Sequence, residues 1–317
     1  MNKGRVKLLY LLRLMINQKY TRLLYITLGV LLLCACFANS GKLTATTGQR
    51  KDSMSIEHFW DTYDFTDTVR LSSFTATEKM LVDYISQLSE LTEEKACENI
   101  RRLVLKTNVN KVVSRWFLQR LECHLYEPDS PLRNDNYYIS VLEEALASGH
   151  LDGMMRLRPQ FQLKMLKKNW IGSKAADFTF TLPTGEFQNL WDISAKYTLL
   201  LFYDPDCIYC QQSMRELSEA SVINSFLQHN GLLIPELALV TICTEGEMNT
   251  WKRYQQSLPS AWVNGYDVRK VLIEKELYSL RSLPSIYLLG EDKQVVLKEP
   301  SSISEVTNYL FNRYDNI

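Results

Sequence analysis

Apolar positions along the chain follow two different periods, and the change falls near residue 170. Between about 75 and 168 they recur every three or four residues. Leu81, Tyr84, Ile85, Leu88 and Leu91 form one such series, the pattern of a helix with a single apolar face. Thr75 and Glu78 ahead of it have capping-box spacing. Ala96, Ile100, Leu103 and Val104 predict a second helix over 93–106, and Val112, Val113, Trp116, Phe117 and Leu121 a third over 109–126. The Pro-, Asp- and Asn-rich stretch YEPDSPLRNDNYY reads as a loop. Two further helices are expected over 137–148 and 152–168.

After residue 170 the pattern changes. Two short strands, 177–181 and 186–189, flank a Pro-Thr-Gly turn. YTLLLFY (Tyr197–Tyr203) is an unbroken apolar run, as expected of a central strand buried on both faces. A helical stretch, QQSMRELSEA, follows, then a second buried strand over Leu237–Cys243. Helices are expected over 246–257 and 268–280. LPSIYLLGEDKQVVLKEP predicts two strands joined by a Gly-Glu-Asp-Lys turn, and 302–313 a last helix. The chain thus divides into an all-α part, 56–169, and an α/β part, 170–317.

The segment ahead of the helices has its own logic. In IEHFWDTYDFTDTVRL, aromatic residues alternate with aspartates. Phe59, Trp60, Tyr63 and Phe65 are expected to pack on the helical domain, in preference to a metal site built from His58, Asp61, Asp64 and Asp67. Residues 37–55 are polar and read as a tether. Before them an apolar run from Leu23 to Leu33 follows Lys19 and Arg22. It falls short of the ~20 apolar residues that span a bilayer and matches the apolar core of a secretory signal. Leu33-Cys34-Ala35-Cys36 resembles a bacterial lipoprotein signal. Residues 1–36 are then the signal and Cys36 the lipidated residue, with Cys34 the second choice because Leu33 before it is not small. A plain signal peptide or an uncleaved anchor are the alternatives, and translation from Met15 would give a more compact signal. Each route takes the protein out of the cytoplasm. The lipoprotein reading places it on the periplasmic side of a bacterial envelope membrane.

Composition narrows the picture little. Of 317 residues, 46% are hydrophobic and 23% charged, with zero formal net charge. This argues against wholesale disorder and gives no basis for nucleic-acid binding. Seven cysteines are too few and too scattered for a disulfide scaffold. Cys97, Cys123 and Cys243 are read as small buried hydrophobes.

Cys207-Ile208-Tyr209-Cys210 stands apart. The motif alone admits a redox pair, half of a metal site, or two buried thiols. Cysteines at i and i+3 at a helix start share one face, within reach of a disulfide. The first, at the helix N-terminus, suits an attacking thiolate, and the second, one turn in, suits resolution. A zinc or copper site would want a further His or Cys nearby, and the only histidine after residue 170 is His229.

Strand, Cys-x-x-Cys, helix, strand, helix, then a Pro-led strand and hairpin is the order of a thioredoxin fold. GSKAADF, LLLFYDPDCIYC and RSLPSIYLL resemble the TlpA/ResA-like branch of that fold, whose members are exported and membrane-anchored. The first half resembles a helical domain of unknown function that precedes such modules in exported lipoproteins. The resemblance implies a thiol–disulfide oxidoreductase that needs no cofactor beyond the Cys207–Cys210 disulfide and binds no metal. Its partners would be disulfide-containing exported proteins and a membrane dithiol reductase. It also implies that Pro284 is cis and faces the pair, with Leu283 and Ser282 lining a substrate groove.

Several positions depart from the family. The Trp that usually precedes the first cysteine is Asp206, a carboxylate that opposes thiolate formation if it points inward. Tyr203 is a candidate to replace part of the lost aromatic packing. Acids that relatives place near the second cysteine correspond to Leu201 and Ser213, with Glu216 one turn further on. A metal-binding module and a non-enzymatic binding lipoprotein on the same scaffold are the competing readings.

Overall fold

The computed structural model describes residues 56–68, 74–228 and 234–314. Cys36, the 1–36 signal, the 37–55 tether and His229 lie outside them. Among the described residues no helix is long and apolar enough to cross a membrane.

The helical part holds α1 (Phe74–Leu88), α2 (Glu93–Thr107), α3 (Lys111–Leu125), α4 (Asp135–Ala147) and α5 (Leu157–Leu166). The apolar stripes that predict these helices form one core, with Leu81, Leu88, Ile100, Phe117, Leu121 and Val141 fully buried. Trp60, Tyr63 and Phe65 of the preceding segment pack into it, and the Trp60 ring meets Tyr84 and Phe117 edge-on at 5.5 Å. Asn110 and Asn134 cap α3 and α4 through their side-chain oxygens.

Three expectations here are corrected. Helix α1 already begins at Phe74, so Thr75 lies inside it, and Glu78 pairs with His124 at 2.6 Å instead of closing a capping box. Cys123 is exposed, because it sits on the solvent side of the stripe that buries Phe117 and Leu121. Cys97 is only half-buried.

The α/β part contains β1 (Thr179–Thr181), β2 (Phe187–Asn189), β3 (Tyr197–Tyr203), α6 (Ile208–Glu219), α7 (Ser221–Gln228), β4 (Leu237–Cys243), α8 (Met248–Tyr254), β5 (Val263–Tyr266), α9 (Val271–Glu274), β6 (Ser285–Gly290), β7 (Val295–Lys298) and α10 (Ile303–Tyr314). The sheet order is β2-β1-β5-β4-β3-β6-β7, with β3, β4 and β5 parallel and the outer pairings antiparallel. Central β3 explains the unbroken apolar run. Its side chains alternate between faces: Leu199, Leu201 and Tyr203 join the core under α6, α7 and α10, while Leu200 and Phe202 join the opposite core with Phe178, Tyr278 and Tyr287.

Strand β5 is not legible beforehand, because it is short and contains Asn264 and Gly265. Gly265 is required there: a Cβ would stand 2.4 Å from Phe180 and 2.8 Å from Ile242. The helix expected over 268–280 shrinks to Val271–Glu274. Glu276 takes a left-handed backbone (φ 48°), and the chain turns so that buried Tyr278 can donate to the Ala176 carbonyl at 2.6 Å.

The two parts belong to a single unit of the chain and are joined by polar contacts. Arg281, 7% exposed, donates to Asp135 at 2.8 Å and to Glu299 at 2.6 Å. It also reaches the Tyr126 carbonyl at 3.2 Å and stacks over the Tyr126 ring. Lys298 donates to the carbonyls of Leu166 (2.6 Å) and Lys168 (3.0 Å) at the end of α5, where a cation suits the helix dipole. Asn169 donates to the Leu277 carbonyl at 2.9 Å. Removing one member of a buried ion pair leaves the other charge uncompensated, at a cost of about 3–5 kcal/mol. Arg281→Ala is therefore expected to lower the urea unfolding midpoint strongly. An unchanged midpoint would mean that Asp135 and Glu299 find water when Arg281 is gone.

Candidate active site

The site is built where β3 ends. After Tyr203 the chain turns through Asp204-Pro205-Asp206, and the Asp204 carboxylate holds the turn by accepting the Asp206 N–H at 3.0 Å. Cys207 follows as the N-cap of α6, in extended conformation. Its N–H donates to the Asp204 carbonyl at 3.2 Å. Its sulfur accepts the Cys210 N–H at 3.2 Å. The first free N–H groups of a helix thus point at Cys207 Sγ.

Both cysteines are free thiols in this structure, with Cys207 half-buried and Cys210 fully buried. Burial pushes the Cys210 thiol far up, and its hydrogen bond to Cys207 adds to that. The pair therefore has one accessible sulfur and one that waits behind it as a neutral thiol.

The Leu283–Pro284 peptide is cis. It brings the Leu283 carbonyl to 3.6 Å from Cys207 Sγ. Leu283 and Pro284 are half-buried and Ser282 is exposed, so backbone faces the pair from across the groove. The structure thus brings together Cys207, Cys210, Leu283 and Pro284, with Ser282 on the outer lip.

The two residues expected to tune the pair are placed differently from one another. Tyr203 is fully buried beneath it, in the same core as Cys210 and with its ring 5.7 Å from that of Tyr254. Asp206 is exposed. After burial, the charge of the Asp204 carboxylate is what most disfavours ionisation of Cys243; at Cys210 the hydrogen bond to the Asp204 backbone favours ionisation and exceeds the opposing effect of that charge. Asp204 falls at none of the positions where the family's pattern points, which are Leu201, Tyr203, Asp206, Ser213 and Glu216. The Asp-Pro-Asp turn is the signal that could have found it. Of the positions near the second cysteine, Leu201 is a core residue, and Glu216 is exposed with the Gln212 amide on its carboxylate at 2.8 Å.

Cys243 lies beside Tyr203 in the β3–β4 ladder and is fully buried, as expected of a core thiol. Burial, with the Asp204 charge second, pushes it up to about 12. Among the described residues no three His, Cys, Asp or Glu side chains converge as metal ligands.

Comparison with known proteins bears on the family and the fold. Residues 44–169 match a domain of unknown function, DUF5106. The chain is similar to a thioredoxin-like protein from Bacteroides caccae solved at 1.90 Å, with 34% identity over 81% of this chain and 90% of that one and a TM-score of 0.76. It is also similar to the C-terminal domain of an uncharacterized protein from Bacteroides fragilis (35% identity, 45% of this chain, 98% of that one, TM-score 0.42). A third is the thioredoxin domain of a thiol-disulfide oxidoreductase from Bacteroides vulgatus (23% identity, 44% of this chain, 98% of that one, TM-score 0.37). No curated protein is significantly similar to the chain.

The burial gradient sets the order in which thiols react. In the native, reduced protein at pH 8, iodoacetamide is expected to label Cys207 and exposed Cys123, while Cys210 and Cys243 stay unlabelled until denaturant is added. Peptide mapping by mass spectrometry reads this directly. Native labelling of Cys210 at the rate of Cys207 would contradict the assigned division.

Proposed function

Since the chain belongs to the thioredoxin-like protein family, with DUF5106 as its helical half, we propose that it is an exported, membrane-anchored thiol–disulfide oxidoreductase. In this reading it reduces disulfides of other exported proteins. The observation that carries the proposal is Cys207 Sγ at the start of α6, facing the cis Leu283–Pro284 peptide at 3.6 Å from the Leu283 carbonyl, with Cys210 buried behind it.

The chemistry follows from that geometry. A substrate segment lies along Ser282, Leu283 and Pro284. The Cys207 thiolate attacks one sulfur of the substrate disulfide. The Cys207–substrate bond forms, the substrate S–S bond breaks, and the other substrate sulfur leaves as a thiolate and takes up a proton. Cys210 then loses its proton and attacks Cys207 Sγ. The mixed disulfide breaks, the second substrate thiol is released, and Cys207–Cys210 is oxidised. Two electrons have moved to the substrate. A membrane dithiol reductase returns them by the same exchange run on the new disulfide. Burial keeps Cys210 protonated in the reduced pair, and the proton it gives up on attack is taken by the departing substrate sulfur.

Export and anchoring are supported by the signal-like run before Cys36, and the periplasmic side of the envelope is the compartment proposed. No cofactor other than the cysteine pair is required by this chemistry.

Four measurements test the reading. Cys207→Ser is expected to abolish turnover, and Cys210→Ser to accumulate mixed disulfides with exported proteins on a non-reducing gel. A glutathione titration with thiol trapping is expected to give a potential near the thioredoxin value of about −270 mV. A value near about −120 mV would reverse the direction to oxidation, and failure to form the Cys207–Cys210 disulfide would remove the proposal. Cys36→Ser is expected to release the protein from the membrane fraction, and retention there would refute lipidation at that residue.

A further inference from the structure

We propose that the helical half forms one wall of the substrate groove, and that the groove selects disulfides carried on extended polypeptide segments flanked by lysine or arginine. This rests on the oxidoreductase reading above and gives DUF5106 a role in it.

A cavity of about 1090 Å³ is bounded by Leu283, whose carbonyl lies 3.6 Å from Cys207 Sγ. One side is α/β: Tyr209, the Ser282–Pro284 loop and Glu216. The other side is helical: the 128–136 segment, including Asp129 and Asn136. The volume lies just above the roughly 300–1000 Å³ range of small-molecule sites. It is an open groove and not an enclosed chamber, so an extended chain fits it better than a compact ligand.

The helical wall is held in register with the cysteine pair. Arg281 stands three residues before Pro284. It grips the loop from α3 to α4 at both ends, through the Tyr126 carbonyl (3.2 Å) and the Asp135 carboxylate (2.8 Å). Arg133 of the same loop donates to the Glu299 carbonyl at 2.6 Å, and the loop closes on itself where Asn134 N–H meets the Leu125 carbonyl at 3.0 Å. A loop pinned in this way cannot move without moving the segment that leads into the cis peptide.

The charge of the groove indicates its occupant. Asp129, Glu216 and Glu305 line it, and none has a cationic partner among the described residues. Asp135 and Glu299 share the single positive charge of Arg281, so five lining carboxylates stand against three cations, Arg281, Arg133 and Lys298. The two lining cations are directed to main-chain carbonyls: Arg133 to Glu299, and Lys298 to Leu166 and Lys168. The groove is therefore net acidic. Tyr209, 74% exposed between the cysteines, adds an aromatic face at its mouth. Acidic walls around a site for an extended chain favour basic residues beside the attacked cystine, through both encounter rate and contact.

The test uses the full chain in its reduced form and three oxidised substrates: neutral 2,2′-dithiodipyridine and two cystine peptides that differ only in lysine or glutamate flanks. At low salt kcat/KM for the lysine-flanked peptide is expected to exceed that for the glutamate-flanked one about tenfold, mostly in KM. That corresponds to a few exposed charge contacts of ordinary strength. The ratio should collapse toward one near 1 M salt, where screening acts within about 3 Å. Asp129→Lys, on the exposed helical wall, should lower the ratio about threefold or more, and Glu216→Lys should do the same from the opposite wall. Equal kcat/KM for the two peptides, with dithiodipyridine still reduced, would overturn the groove proposal and leave the oxidoreductase reading standing. No reduction of any of the three would overturn both. An effect of Glu216→Lys with none from Asp129→Lys would place recognition on α6 alone and overturn the helical wall.

Discussion

Arg281 is the contact on which the arrangement of the rest depends. A guanidinium with 7% exposure between two carboxylates cannot be left half-paired, because a buried charge without a partner is far costlier than one with it. This restricts where the helical part can sit. Asp135, at the start of α4, must meet an arginine that belongs to the loop leading into Pro284. Buried ion pairs contribute little net stability compared with well-packed apolar residues. The network contributes orientation instead: the bidentate fork accepts one geometry of its partners. DUF5106 is thereby placed beside the cysteine pair and is not left as a separate appendage.

The second constraint is the sheet. Because β3 is central and buried on both faces, its C-terminal end delivers the chain to one fixed point, where Asp204 turns it into α6. The three thiols of this region are then graded by depth alone. Cys207 is at the helix start and half-exposed, Cys210 is one turn in and buried, and Cys243 is inside the strand ladder. The same residue type thus stands at three places, as helix cap, helix interior and strand core. The Asp204 charge raises the cost of ionising Cys243, which adds to the effect of its burial.

Legibility in the sequence followed the range of the interactions involved. The helices of the first half could be read because a 3.6-residue stripe is a local property, and the same holds for YTLLLFY and the Cys-x-x-Cys start of α6. Failures came where distant residues competed with local preference. The segment 268–280 carries a helical pattern, yet Tyr278 leaves it to reach Phe178 and Phe202 in the opposite core. Strand β5 exists because Asn264 finds Thr241 at 2.6 Å and Gly265 lets Phe180 approach, and neither residue favours a strand by itself. Cys123 is exposed for a local reason: two residues past Leu121, it falls off the buried stripe of Val113, Phe117, Leu121 and Leu125.

The sequence by itself determined the two-part organisation, the thioredoxin-like order of elements and the identity of the reactive pair, because periodicity and the i, i+3 spacing are set by covalent geometry. Tertiary structure alone decided which residues surround the thiols, which loop lies across the groove from Tyr209 and Leu283, and how the two parts are registered. Asp204 and Asp206 are chemically identical two residues apart, and only the turn leaves Asp206 exposed while Asp204 is half-buried and accepts its N–H. Arg281, Asp135 and Glu299 are widely separated in the chain, so no local pattern joins them. They converge because burying any one of them requires the other two.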